Sequence, residues 1–387
     1  MSRLEELIQQ YCPDGVEYKT VRSISEIKRG ERLTKSSLKT DGEYIVVSGG
    51  VSPMGRYTNY NRNENTITIS SYGAAGYVGF QTEKFWANDV CLCVYPKDVI
   101  SNKYLYYALK KEQNYLYSKT TKAIPDHIPT EIILDLNIPL PPLPVQEEIV
   151  RILDSFAELQ AELQAELKKR LQQYNYYRDN LFTFEGRTDV EWKKLGDVAS
   201  IKTGRRFVRT DIRESGVPCF HYGDIYTYYG LTATTTKGYL DAELASKLRF
   251  AQPNDVVVVC AGENDMDIGV GVAWLGNEPA VAHDACCILH HNQNPRYISH
   301  FLRTHNYHLQ IRRYVKNGKI SSLPASGLAE AIIPIPSLEE QERIATILDR
   351  FDALTTDITA GLPAEIEARR KQYEYYRDRL LTFKQKA

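Results

Sequence analysis

The chain repeats itself, and no other feature limits its possible folds as strongly. Ile138-Pro139-Leu140-Pro141, followed by Leu143, Gln146, Glu147, Ile149, Ile152-Leu153-Asp154 and Phe156, returns half a chain later as Ile333-Pro334-Ile335-Pro336 with Leu338, Gln341, Glu342, Ile344, Ile347-Leu348-Asp349 and Phe351. Gln173-Tyr174-Asn175-Tyr176-Tyr177-Arg178-Asp179 with Leu181, Thr183 and Phe184 matches Gln372-Tyr373-Glu374-Tyr375-Tyr376-Arg377-Asp378 with Leu380, Thr382 and Phe383. A period this long marks duplication of a whole structural unit, not of one supersecondary motif.

The segments between these blocks are paired more weakly. Val16-Glu17-Tyr18-Lys19 with Ile27-Lys28 and Gly30 echoes Val190-Glu191-Trp192-Lys193 with Ile201-Lys202 and Gly204. Ala87-Asn88-Asp89 before Cys91 recurs as Ala282-His283-Asp284 before Cys286, so both inserts are expected to share one fold.

From Pro144 to about Phe184, apolar residues fall three or four apart and predict one face of a long helix. Pro144 suits a first helical position. Ser337 with Glu340 makes the pattern of a capping box. The tandem Ala157-Glu158-Leu159-Gln160 repeat overshoots the helical period, so its leucine stripe drifts and suits a crossing partner helix. Gly361-Leu362-Pro363 predicts a break in the second helical block, with Pro363 restarting it. Runs such as Thr66-Ile67-Thr68-Ile69 and Asp255-Val256-Val257-Val258-Val259 read as strands, with short helices near 104–110 and 297–302.

A chain of 387 residues with 43% hydrophobic content can hold several cores. Its formal net charge of -1 means that any nucleic-acid contact must come from local patches. Seven cysteines, an odd number without framework spacing, and no apolar leader or spanning segment point to a reducing cytoplasm and away from membranes.

The chemistry of catalysis is missing. Gly318-Lys319 is followed by Ile320 and is not a phosphate cradle. Pro13-Asp14 with Glu17-Tyr18-Lys19 is too compressed for a metal-dependent nuclease. Cys286-Cys287 with His290-His291 place neighbours on opposite strand faces and read as buried strand residues, not a zinc site. Leu140-Pro141-Pro142-Leu143 lacks the acidic or amide residue and the aromatic of an adenine methyltransferase motif. The glycine-rich stretches at 71–77 and 262–271 open no helix of a βαβ unit, and read as turns or as loops close to DNA.

Basic and aromatic residues cluster at corresponding places in the two inserts, which suits phosphate anchoring plus base contacts. The candidates are Lys28, Arg29, Arg32, Lys35, Arg56, Tyr57, Tyr72, Lys119 and Lys122 in the first insert. In the second they are Lys202, Arg205, Arg206, Arg209, Arg312, Arg313, Lys316 and Lys319. The tyrosine clusters at 174–177 and 373–376 are assigned to the helical scaffold. The expected helix-pair interface is Ile149, Ile152, Phe156, Leu159, Leu163, Leu167, Tyr177, Leu181, Ile344, Ile347, Phe351, Tyr376 and Leu380.

A variable insert, the Ile-Pro-x-Pro-x-x-x-x-Gln element, an amphipathic helix and a Tyr-x-Tyr-Tyr-Arg-Asp segment, each occurring twice, resemble the specificity subunits of Type I restriction-modification systems over essentially the whole chain. The resemblance implies an α+β fold: two similar target recognition domains separated by two long, antiparallel, coiled-coil-like helical regions with pseudo-two-fold internal symmetry. Target recognition domains are expected at 1–143, with a short N-terminal helix, and at 185–337. Helical regions are expected at 144–184 and 338–387. The implied partners are double-stranded DNA with a split target, two modification (methyltransferase) subunits and restriction/translocase subunits. S-adenosylmethionine, ATP and Mg2+ are expected in those partners and no cofactor in this chain, which would be non-catalytic by itself. The four-residue repeat is similar to a spacer-setting repeat of part of the family. One unit adds about 6 Å of helix, or one to two base pairs at roughly 3.4 Å each. The rival reading is a coiled-coil adaptor whose inserts bind protein or glycan.

Overall fold

The computed structural model describes residues 2–121, 124–263, 267–357 and 359–386. The chain divides into two units: Met1–Glu162 together with Glu367–Ala387, and Leu163–Ile366. The 39-residue helix Leu143–Leu181 therefore gives its first half to the first unit and its second half to the second.

In the first unit the strands Ser25–Arg29, Cys91–Pro96, Thr66–Ser70 and Val78–Gln81 form one antiparallel sheet in that order. A three-stranded sheet holds Tyr44–Val47 between Gly55–Tyr57 and a parallel Phe85–Ala87. Glu17–Thr20 pairs with Asn137–Leu140, the strand that carries the Ile-Pro-Leu-Pro element. Alternation along the strands splits their side chains between two cores: Ile67, Ile69, Leu92 and Val94 face one, Cys91 and Cys93 the other. The helix Asn102–Lys111 closes the first core with Tyr104, Leu105, Ala108 and Leu109.

The second unit repeats the plan with more strands. Ala199–Thr203, Cys286–His291, Val256–Val259, Gly271–Trp274 and Thr232–Ala233 form a five-stranded sheet, and Val217–Phe220 lies between Gly238–Leu240 and a parallel Ala280–Ala282. Val256 and Val258 enter the core covered by the helix Pro295–Phe301, while Val257 and Val259 enter the core on the other face. Burial on both faces explains why this run is all valine instead of alternating. Glu191–Lys194 pairs with Ile332–Ile335, matching the first unit register for register.

The two copies of Ile-Pro-x-Pro do the same work. Tyr104 Oη donates to the Pro139 carbonyl at 3.0 Å and Tyr297 Oη to the Pro334 carbonyl at 2.9 Å. Gln146 donates to the Pro141 carbonyl at 2.7 Å, and Gln341 to that of Pro336 at 2.9 Å. Each glutamine is fully buried, and its carbonyl also accepts a backbone N–H at the start of the adjoining helix, from Ser101 at 2.8 Å and Asn294 at 3.0 Å. A buried amide satisfied on both ends fixes the long helix to its sheet.

Pro144 is the second residue of the long helix, one position later than expected. The second helical block is broken as expected, into Leu338–Thr356 and Leu362–Leu380, with Pro363 inside the restarting turn. Gly361 sits where an added Cβ would lie 2.6 Å from the Ala353 carbonyl oxygen, so the break requires glycine. Only half of the Ser337 box forms. Its hydroxyl accepts from the Glu340 N–H at 3.3 Å, but the Glu340 carboxylate is drawn instead to Arg343 at 2.7 Å and Arg187 at 3.1 Å.

Candidate nucleic-acid interface

In the second unit the strand Ala199–Thr203 runs into Gly204, whose N–H donates to the Cys286 carbonyl at 2.8 Å. A Cβ here would stand 2.2 Å from the His283 carbonyl oxygen, so only glycine permits the crossing. The chain continues as an exposed loop with Phe207 turned inward and Arg206 and Arg209 turned outward. His283 Nε2 lies 3.0 Å from the Phe207 carbonyl oxygen. This loop borders a cleft of about 440 Å3 whose walls include His221, Tyr222, Gly262, Asp284 and Ile320.

The first unit builds the same loop. Gly30 N–H donates to the Cys91 carbonyl at 2.9 Å, and a Cβ on Gly30 would stand 2.2 Å from the Asn88 carbonyl oxygen. Leu33 is held at both backbone groups by the Asn88 amide, at 2.9 and 3.1 Å, leaving Arg32 and Lys35 exposed on either side. The strand registers equate Ser48 and Gly49 with His221 and Tyr222, and Tyr72 with Ala261. The Tyr72 ring packs on His127 with centroids 4.4 Å apart.

The remaining basic candidates scatter. Lys28 is exposed on its strand, 3.3 Å from Glu26 and over the Tyr95 ring, and Arg29 and Lys202 are exposed on the equivalent edge strands. Arg56 is committed to its turn, donating to the Gly42 carbonyl at 2.6 Å and to that of Glu43. Tyr57 sits edge-on to Trp86 at 5.2 Å. Lys119 lies 5.2 Å from the Tyr115 ring centroid, and Lys122 falls outside the described residues. In the second unit Arg205 donates to the Lys247 carbonyl at 2.7 Å. Arg312 lines a separate hollow of about 260 Å3 with Ile268 and His308, and Arg313 a third beside Trp192. Lys316 is paired through its backbone to Ser322, and exposed Lys319 precedes Ile320 at the cleft. The structure thus gathers Arg206, Arg209 and the turn at 319–320 at one place and puts Arg205, Arg312 and Arg313 to other uses.

Sequence reasoning missed His221, Tyr222, Phe207 and His283 as cleft residues. The Ala-Asn-Asp and Ala-His-Asp correspondence was the available signal for His283. Burial holds His221 and His283 below the ordinary imidazole range, so at neutral pH both rings are uncharged hydrogen-bonding groups. The cleft's fixed positive charge comes from Arg206 and Arg209, opposed by Asp284 and Glu263 in its walls.

Among the described residues no group of three or more His, Cys, Asp and Glu could hold a metal ion. Cys286 and Cys287 enter opposite cores, and all seven cysteines are free and buried. Glu17 pairs with Lys19 at 2.7 Å, and the Tyr18 hydroxyl donates to the Phe383 carbonyl at 3.0 Å. The glycine-rich stretch at 71–77 joins two antiparallel strands, as does the segment between Val259 and Gly271. Among the described residues no helix is long and apolar enough to cross a membrane.

The tyrosine blocks pack as scaffold. In the first unit Phe156 stacks on Tyr376 at 5.4 Å, and in the second Phe351 stacks on Tyr177 at 5.4 Å and on Tyr174 at 6.2 Å. Ile149, Leu153 and Leu381 are buried in the first core, with Ile152 and Leu380 against it. Ile344 and Leu348 are buried in the second core, with Leu181 against it. Ile347, Leu159, Leu163 and Leu167 are half-buried, whereas Tyr176 and Tyr375 point outward.

A family model described as the Type I restriction modification DNA specificity domain matches the chain twice, at residues 13–173 and 188–368. A putative type I restriction enzyme specificity subunit of Haemophilus influenzae is 30% identical, covering 95% of this chain and 96% of the relative. The EcoR124I/EcoR124II specificity subunit of Escherichia coli is 31% identical, covering 99% and 97%. The crystal structure of a Type I restriction-modification S subunit from M. genitalium superposes with a TM-score of 0.60 at 18% identity, covering 95% of this chain and 96% of that one. That last likeness speaks to the fold alone.

Proposed function

The chain belongs to the Type I restriction-modification DNA specificity subunits, and from that premise we propose that each unit reads one half of a split DNA target through its basic loop, Arg32 to Lys35 in the first and Arg206 to Arg209 in the second. One observation supports this most: two inserts with different surface residues present basic loops at equivalent positions, each fixed by an obligatory glycine and by the residue after Ala87 or Ala282. Arginine and lysine on either side of an anchored apolar residue suit phosphates along one strand, and in the second unit the cleft wall at His221 and Tyr222 is where base edges would lie.

As a specificity subunit the chain is a non-catalytic part of a Type I restriction enzyme complex. The comparisons give the adaptor reading no support. In our reading two modification subunits dock on the helical regions and bring S-adenosylmethionine, while restriction subunits bring ATP and Mg2+. The helices set the gap between half-sequences, at about 6 Å per four-residue unit. Free buried cysteines fit assembly in the cytoplasm.

The test is a salt titration of DNA binding by the complex assembled with its modification subunits. Arg32→Ala and Arg206→Ala should each weaken binding to all sequences and lower the slope of log affinity against log salt by about one. Unchanged affinity and slope in both variants would rule out the loops as the DNA surface.

A further inference from the structure

The two basic loops are pinned by different chemistry at one equivalent position. Asn88 is buried, with its N–H bound to the Val47 carbonyl at 2.9 Å, and its side-chain amide closes on Leu33 from both sides. His283 takes that place in the second unit, its N–H bound to the Phe220 carbonyl at 3.1 Å. Its Nδ1 lies 3.1 Å from the Ala285 nitrogen and 2.9 Å from Asp284 Oδ1, and its Nε2 lies 3.0 Å from the Phe207 carbonyl, an acceptor that only a protonated Nε2 can bond. The His283 ring also meets Phe207 edge-on at 5.0 Å and packs against His221 at 4.9 Å. These bonds join the parallel strand pair, Val47 with Ala87 or Phe220 with Ala282, to an otherwise exposed loop.

We propose that Asn88 and His283 are positioning residues for sequence readout: neither contacts DNA, and each holds the basic loop of its own unit in the geometry that reads one half-sequence. The inference rests on the proposed role of the loops. A loop carrying two guanidinium or ammonium groups binds phosphate in many conformations but presents a defined register only when its backbone is held. Losing the pin should therefore cost discrimination more than overall affinity.

The assembled complex with its modification subunits is the material for the test, with duplexes mutated in one half-sequence at a time. His283→Ala should lower discrimination roughly three- to tenfold for the half read by the second unit, the range expected for one lost hydrogen bond, and leave the other half unchanged. His283→Gln, whose Nε2 reaches the same carbonyl, should restore most of the loss. Asn88→Ala should show the mirror effect and keeps the proposal testable if the second unit of His283→Ala fails to fold. The proposal is overturned if His283→Ala and Asn88→Ala discriminate like the parent while Arg206→Ala weakens binding, an outcome that leaves the loop reading intact. It is also overturned if His283→Ala relaxes both halves equally, or if glutamine restores nothing. Loss of neither affinity nor discrimination in Arg206→Ala and Arg32→Ala would remove the loop reading and this inference with it.

Discussion

In the first unit Lys103 and Tyr107 meet Asp154, at 2.9 and 2.5 Å; in the second, Arg296 and His300 meet Asp349, His300 at 2.9 Å. The partners changed and the contact survived. Around the basic loops the reverse holds: the backbone bonds of Gly30 and Gly204 are the same, while the positions of Ser48, Gly49 and Tyr72 are taken in the second unit by His221, Tyr222 and Ala261. Where a position joins helix to sheet, chemistry varies only within what preserves the bond. Where it faces the cleft, it varies freely, as a pair of readers for different half-sequences requires.

The comparison is easiest to break at the glycines. Gly204→Ala and Gly30→Ala each drive a Cβ to 2.2 Å from a backbone carbonyl oxygen, which no side-chain rotation relieves. Each substitution should destabilise its own unit by about 1–3 kcal/mol or more and abolish recognition of its own half-sequence. Limited proteolysis mapped by mass spectrometry would show which unit opened, and opening of the same unit in both variants would refute the equivalence.

A subtler difference lies in titration. Of the eight histidines only His127 lies in the first unit. In the second, burial lowers His221, His283, His300 and His308, and brings His291 to about 4. A histidine whose folded value is depressed binds its proton more readily when unfolded. Its stabilising contribution is thus whole above the unfolded value of about 6.5 and falls away as the pH drops toward the folded one. Between pH 7 and 5 the second unit should lose stability and the first should not, since the depressed carboxylates there, Glu5, Glu17, Glu148 and Glu367, act only below that window. Pulse proteolysis at the two pH values would measure it, and equal losses in both units would contradict the account.

Much of the frame could be read directly from the repeat. The helix break at Gly361 was visible because it depends on a few neighbouring residues, whereas the Ile-Pro-x-Pro-x-x-x-x-Gln element showed only as a repeat, since its strand pairing and its buried glutamines depend on partners far away in sequence. The basic residues were a different matter. Arg32 and Arg56 look alike in sequence, yet Arg56 is used up by the carbonyls of Gly42 and Glu43 while Arg32 stays exposed. Which arginine is free is decided by loops that close across tens of residues, and no local pattern encodes that. His283 was in view as half of a repeated tripeptide, but its use became clear only once Phe207 lay beside it.

The division into two independent readers is tested most directly by exchange. Residues 186–332 are replaced by the corresponding stretch of another family member, the complex is assembled in a host with its modification subunits, and the methylome is sequenced. The account predicts that one half-sequence changes while the other half and the gap between them stay as they were. A change in both halves would contradict it.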